Sequence, residues 1–217
     1  MSEAITRREF IVASAVLGAG IGLAGMTGCT TDNKDEPKVE TPSVSYGEGS
    51  SMGKRVLVGY ATKNGSTVGV AKRIAETLAA EGHVVDVKPM ANRPSLAGYG
   101  AVVLGSAING GGWLPEAVDY LRSHRKDLAR VPVAAFCVHA MNCGTDGSET
   151  AKRKAYLDEV RSIIRPSAEG YFAGKGPSSD DTSWLAMWAF RAFGGHVVEG
   201  DARDWNKIAS WTRELTI

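Results

Sequence analysis

Six consecutive residues, Thr62, Lys63, Asn64, Gly65, Ser66 and Thr67, collect hydroxyls, an amide and a glycine. They stand immediately before an apolar stripe at helical spacing, Val68, Ala71, Ala75 and Leu78. The apolar run Val56-Leu57-Val58 precedes them and reads as a buried strand. Strand, hydroxyl-rich loop and helix together make a cradle for an oxyanion. The first turn of a helix carries N–H groups without intrahelical partners, and the helix dipole adds partial positive charge there. Thr62, Ser66 and Thr67 add hydroxyl donors, and Gly65 lets backbone approach a ligand. Phosphate is the natural guest. A Walker A loop would need Gly-Lys-Ser/Thr where Gly65-Ser66-Thr67 stands, and a dinucleotide fingerprint would need three spaced glycines. The alternative is a helix capped by Thr67 that binds nothing.

Two further stretches carry reactive or exposed-backbone residues. Ser106-Ala107-Ile108-Asn109-Gly110-Gly111-Gly112-Trp113 reads as a loop whose glycines present bare backbone to whatever binds there. Trp113 offers an aromatic face to a planar ligand, or else covers the next helix. Cys137-Val138-His139-Ala140-Met141-Asn142-Cys143-Gly144 holds a histidine that can donate to a ligand and carry charge, or fill a structural place. Cys137 and Cys143 form a redox pair, or Cys137 is a small hydrophobe at the end of a buried strand. Paired His or Cys at zinc-like spacing are missing, which argues against a metal site.

The elements that must position these residues alternate strand with helix. Strands are predicted at Val56-Leu57-Val58, Val84 to Lys88, Ala101 to Leu104, Pro132 to Val138 and Gly170 to Ala173. Helices are predicted from about Thr67, over Tyr156 to Ile164, and over Asp204 to Leu215 with Trp205, Ile208 and Trp211 on one face. Near-continuous apolar strands between helices imply a parallel sheet covered on both faces. Ligands of such sheets sit beyond the carboxyl ends of the strands, so the loops after the first, third and fourth strands matter most. Trp184 to Phe193 is apolar nearly all round, which suits burial, or apposition to lipid or an apolar substrate.

The 217 residues suit one domain with appendages, and 43% hydrophobic residues are ample for a core. A formal charge of +1 without a basic cluster in the folded part argues against nucleic acid. Thr6-Arg7-Arg8-Glu9-Phe10-Ile11 resembles the twin-arginine export signal, and an apolar run from Ile11 to Met26 follows. Met26-Thr27-Gly28-Cys29 resembles a lipobox, which makes Cys29 the lipidated residue. The plainer readings are a membrane anchor with positive flanks and an incidental cysteine. Residues 1–29 are therefore expected to be an export and lipoprotein signal, 30–53 a disordered tether rich in Ser, Thr, Pro and Gly, and 54–217 the folded domain. The protein is expected to be exported and anchored to the outer face of the cytoplasmic membrane.

Thr-x-Asn-Gly-Ser-Thr after a first strand resembles the flavodoxin phosphate loop, with Asn64 in place of its middle threonine. Phe193-Gly194-Gly195-His196 and Asp201-Ala202-Arg203-Asp204-Trp205 resemble the branch of that family that includes quinone-dependent protoporphyrinogen dehydrogenase, as does Tyr171-Phe172-Ala173-Gly174. The resemblance implies an α/β flavodoxin-like three-layer sandwich with a five-stranded parallel sheet in the order 2-1-3-4-5. It implies FMN, its phosphate on Thr62 to Thr67 and its ring between Ser106–Trp113 and Val138–Asn142. Backbone amides of the glycine-rich loop would then meet the ring edge, and a charged His139 would stabilise reduced flavin. A redox partner protein or a membrane quinone is the implied electron-transfer partner.

Overall fold

The computed structural model describes residues 39–49, 53–176, 196–198 and 200–217. Residues 1–29, where an export signal and a lipidated Cys29 are expected, and the apolar stretch Trp184 to Phe193 lie outside the described residues. In chain order the elements are β1 (Val44–Tyr46), β2 (Arg55–Ala61), α1 (Ser66–Ala80), β3 (Val84–Pro89) and a 3-10 turn at Met90–Asn92. Next come β4 (Ala101–Asn109), β5 (Gly112–Trp113), α2 (Pro115–Ser123), α3 (Arg125–Leu128) and β6 (Val133–His139). The rest is α4 (Gly147–Ala155), α5 (Asp158–Ile163), β7 (Ala168–Ala173) and α6 (Trp205–Arg213).

The sheet runs β1-β3-β2-β4-β6-β7, with β5 paired to β4. Its five parallel strands, β3-β2-β4-β6-β7, reproduce the expected 2-1-3-4-5 order. Alternate residues supply two cores. Leu57, Val102, Leu104, Ala135 and Cys137 face α2, α3 and α5. Val58, Tyr60, Val103, Phe136 and Val138 face α1 and α6. Two-sided burial is why the strands read as unbroken apolar runs. Each fully buried large side chain contributes roughly 1.5–3 kcal/mol by leaving water.

Three elements differ from the sequence expectation. First, the segment expected as tether reaches onto the domain: Val44–Tyr46 pairs antiparallel with β3, in register Val44↔Val87 and Tyr46↔Val85. An exposed edge strand gains backbone partners by this addition. Second, the helix expected over Tyr156 to Ile164 is α5, and across a break at Tyr156-Leu157 it is preceded by a helix the sequence did not announce, α4, from Gly147. The start of α4 is fixed by Asp146, whose carboxylate accepts from the N–H groups of Ser148 and Glu149. Third, Trp205 does not share the buried face of Ile208. It is 40% exposed, whereas Ile208 is fully buried and Trp211 packs edge-on to Phe172.

Asp86 ties the added strand to the domain. Its buried carboxylate accepts from Ser45 Oγ at 2.6 Å, Tyr99 Oη at 2.6 Å and the Arg55 guanidinium at 2.8 Å. Burial by itself would raise this carboxyl, but those three donors outweigh it and hold the group below the usual carboxylate range. A lowered folded pKa contributes stability at neutral pH that is lost as the pH falls below the ordinary carboxylate value of about 4. Asp86→Asn is expected to destabilise the protein by about 1–3 kcal/mol at neutral pH and to flatten the acid limb of its stability curve. Urea melts of both proteins at pH 7 and in acid measure this, and an unchanged acid limb in the variant would contradict it.

Candidate functional site

Parallel register places the ends of the strands in one row. Ala61 pairs with Ser106, Ser106 with Cys137, and Cys137 with Tyr171. Neighbouring strands lie about 4.8 Å apart, so the segments that follow leave from one rim.

The first segment is the Thr62–Thr67 loop. Gly65 is the N-cap of α1 at φ +80°, and no side chain caps this helix. Thr62 Oγ1 accepts from Gly65 N at 3.0 Å, which closes the turn. Lys63 and Asn64 are exposed, and Ser66 is half-buried. Thr67 lies inside the first turn rather than at the cap, and it is fully buried. Its Oγ1 has no hydrogen-bond partner among the described residues. By contrast, α4 and α6 are each capped by an aspartate, Asp146 and Asp204. The first turn of α1 also contains no acidic residue. This helix end keeps its donors and its positive dipole available.

The second segment is a hairpin and not a loop. β4 continues to Asn109, and β5 folds back in register Ile108↔Trp113 and Asn109↔Gly112. Gly110 and Gly111 sit between them at φ +61° and +82°, the two positive values that a tight primed turn demands. Ser106 is fully buried, and its hydroxyl donates to Ala107 O at 2.8 Å and accepts from Leu114 N at 3.0 Å. It closes the hairpin. Trp113 is 4% exposed within the core on the α2 side, so it covers that core and presents no open face for stacking. Its Nε1 lacks a partner among the described residues. Ala107 and Ile108 are half-buried, and Asn109, Gly110 and Gly111 are exposed at the tip.

The third segment, Val138 to Asn142, is held from several sides. Met141 O accepts from His139 Nδ1 at 2.8 Å and from Tyr156 Oη at 3.3 Å. A carbonyl only accepts, so His139 carries its proton on Nδ1, and Nε2 is a bare acceptor. Nε2 is buried without a partner among the described residues. Burial pushes the His139 pKa down to about 4, so the imidazole is neutral at physiological pH and cannot supply the charge expected from sequence. Asn142, at φ +57°, donates from Nδ2 to Tyr156 Oη at 2.6 Å, which leaves Oδ1 buried and unpartnered. Arg153 Nη1 donates to the carbonyls of Asn142 and Gly144 at 2.7 and 2.9 Å. Glu149 accepts from the amides of Gly144 and His196. Ala140 O and Cys143 N bond to Val198 N and His196 O. Cys137 and Cys143 are free thiols; Cys137 is fully buried, and burial pushes the pKa of each upward.

The structure brings the first and third segments together. A Cβ at Gly174 would lie 3.2 Å from Ser66 Oγ and 2.8 Å from Val138 Cγ1. Thr67, Trp113, His139 and Asn142 hold the buried side-chain polar atoms left unpaired among the described residues. All four belong to the three rim segments. Buried polar atoms are normally satisfied, so their concentration here marks a site for a ligand that offers donors, acceptors and an anionic end. Sequence reasoning missed Arg153 and Glu149, which shape the third segment; their signal is only a charged run ahead of Tyr156. No group of His, Cys, Asp and Glu among the described residues could hold a metal ion.

Residues 57–177 match the flavodoxin domain. The chain belongs to the flavodoxin domain family. Among curated proteins it is similar to the Protoporphyrinogen IX dehydrogenase [quinone] of Leishmania major, at 31% identity over 131 residues. That match covers 58% of this chain and only 56% of the relative, so the chain spans little more than half of that protein's length. Among solved structures it is similar to a short-chain flavodoxin associated with a bacterial microcompartment (11% identity, TM-score 0.49, covering 73% of this chain and 94% of that one). It is also similar to the flavodoxin of Fusobacterium nucleatum bound to flavin mononucleotide (15% identity, TM-score 0.46, covering 74% and 96%). Family membership supports a flavin-type redox protein.

The unpaired atoms have signed consequences for the protein without ligand. Thr67→Val removes an unsatisfied buried hydroxyl at nearly constant volume and is expected to leave stability unchanged or raise it by about 1 kcal/mol. His139 has a folded pKa below its unfolded value, so the unfolded state takes up the proton first as the pH falls. Stability is therefore lost from about pH 6.5 down to about 4, by roughly 2–3 kcal/mol. His139→Gln should abolish that slope, and denaturant melts across this pH range measure it. A wild-type curve flat over the range would refute the neutral assignment.

Proposed function

We propose that this protein is an FMN-binding redox protein tethered outside the cytoplasmic membrane, which passes electrons between a membrane quinone and a redox partner protein. The observation that carries the reading is the fully buried, unpartnered Thr67 hydroxyl in the uncapped first turn of α1. A phosphate monoester would satisfy it along with the amides of Ser66 and Thr67. Thr62, Lys63, Asn64, Gly65, Ser66 and Thr67 would hold the phosphate. Ala107, Ile108, Asn109, Gly110 and Gly111 on the hairpin, with Val138, His139, Ala140, Met141 and Asn142 opposite, would hold the ring.

Bound there, FMN would supply one- or two-electron transfer through its ring. The chain's own residues bind and orient it. His139 Nε2 offers an acceptor to a ring N–H, and the exposed amides of Gly110 and Gly111 offer donors to its carbonyl edge. A neutral His139 does not itself supply a cation to favour negative charge on reduction. The near-neutral formal charge of +1 gives little long-range steering toward a charged partner. A quinone partner in the membrane fits that balance. The twin-arginine-like Arg7-Arg8 and the lipobox-like Cys29 support export and anchoring.

A second reading, an enzyme of the quinone-dependent protoporphyrinogen oxidase type, is favoured by the 31% identity to the Leishmania major protein. Turnover of a porphyrinogen with a quinone by purified holoprotein separates it from a carrier. For the cofactor, the full chain is expected to purify yellow and to release FMN on denaturation. Ser66→Ala with Thr67→Ala is expected to weaken FMN binding by about 1–3 kcal/mol through lost hydroxyl donors. Fluorescence titration measures this, and unchanged affinity in the double variant would count against the loop. Palmitate labelling of the cell-expressed protein, lost in Cys29→Ser, tests the anchor.

A further inference from the structure

Arg203 lies against the first turn of α1 from the far end of the chain. Its Nη1 is 3.5 Å from Ser66 O. Its other donors form a fork on Asp201, Nε to Oδ1 at 2.7 Å and Nη2 to Oδ2 at 2.5 Å. The guanidinium stacks on the Trp205 ring, 4.5 Å from its centroid, and its side chain is 12% exposed. Charge, fork and stack together fix its position.

The helix is built to admit it. A Cβ at Gly69 would overlap Arg203 Nη1 and also lie 3.3 Å from Trp205. Glycine within a helix costs stability relative to alanine, and here the missing methyl is the space the guanidinium occupies. The segment that delivers Arg203 is fastened to the rim by its backbone. Ala202 N donates to Gly174 O at 3.1 Å, Gly176 N to Gly200 O at 2.8 Å, and Lys175 bridges Asp201. Arg203 holds the Asp201 carboxyl down to about 2, so that carboxylate stays ionised across the ordinary pH range.

We propose that Arg203, seated in the gap at Gly69, is a positioning residue that fixes the aim of the Ser66 and Thr67 donors and so confers selectivity for the phosphorylated flavin over riboflavin. Asp201 neutralises the guanidinium, so its effect on a bound phosphate runs through the carbonyl of Ser66 and the orientation of the helix start. On the flavin reading only the phosphate would meet that turn, and the ring would meet the other two segments. Loosening the turn therefore costs the phosphate contact and spares the ring.

This inference rests on the flavin reading, and one set of titrations separates the two. The full-length protein and its Arg203→Gln, Arg203→Lys and Gly69→Ala variants are titrated with FMN and with riboflavin, each watched by flavin fluorescence. Wild-type protein is expected to prefer FMN. Arg203→Gln is expected to lose about tenfold or more in FMN affinity while riboflavin affinity changes by less than about twofold. Arg203→Lys keeps the charge without the fork and should fall between. Gly69→Ala displaces the guanidinium without touching it chemically and should reproduce the loss. Equal losses for both ligands, or an unchanged preference in Arg203→Gln and Gly69→Ala, would overturn the proposal and leave the flavin reading standing. If wild-type protein binds neither flavin, both fall. Should Arg203→Gln fail to fold, Gly69→Ala and Arg203→Lys carry the same comparison.

Discussion

Parallel pairing at a fixed register is the constraint on which the rest depends. Because Ala61, Ser106, Cys137 and Tyr171 share one row, the chain after each strand must leave at the same edge of the sheet. Segments with little in common by sequence thereby start from one rim. The register itself follows from alternation. A slip of one residue in β6 would exchange Cys137 with Val138 and send the Phe136 ring into the wrong core. The chemistry at the rim is thus secured by hydrophobic burial well below it.

Two ways of building a rim segment coexist. The hairpin after β4 satisfies itself: Ser106 closes it, and paired glycines turn it. The segment after β6 is instead held by distant groups, namely Arg153, Glu149, Tyr156 and the backbone of His196 and Val198. The phosphate-type loop is intermediate, with its turn closed by Thr62 and its helix braced by Arg203. Polar atoms left over from these arrangements stay buried without partners among the described residues. Neutral His139 is the clearest case, since the bond that orients its ring also makes Nε2 an acceptor.

Much of this was legible in sequence, for physical reasons. Strands buried on both faces leave apolar runs, so five parallel strands could be anticipated from Val56, Val102 and Ala135 outward, while their order followed only from the resemblance of the Thr62–Thr67 loop to that of flavodoxins. The Thr62–Thr67 loop was legible because hydroxyls crowd a helix start. What escaped was set by partners far along the chain. Val44–Tyr46 has no strand signal of its own and pairs only because β3 offers an edge. Helix α4 has a charged surface with a single buried residue, Glu149, so no apolar stripe announced it. The protonation of His139 depends on burial and on Met141 O, which no spacing rule reports. For Trp113 the sequence left open a face for a ligand or a cover for the next helix, and the hairpin decides for the cover by returning it to the sheet.

The strand added at Val44–Tyr46 changes where the domain begins. Val39 Cγ1 lies 3.5 Å from the point where a Cβ at Gly65 would stand, and Tyr60 Oη donates to Pro42 O at 2.9 Å. A polypeptide trimmed at Lys54 would therefore bare the outer flank of β3, strip Ser45 from Asp86 and uncover Tyr60. Its unpaired flank would recruit strands from other molecules, and clumping of such a shortened product would reflect the site of the cut and not a defect of the sheet.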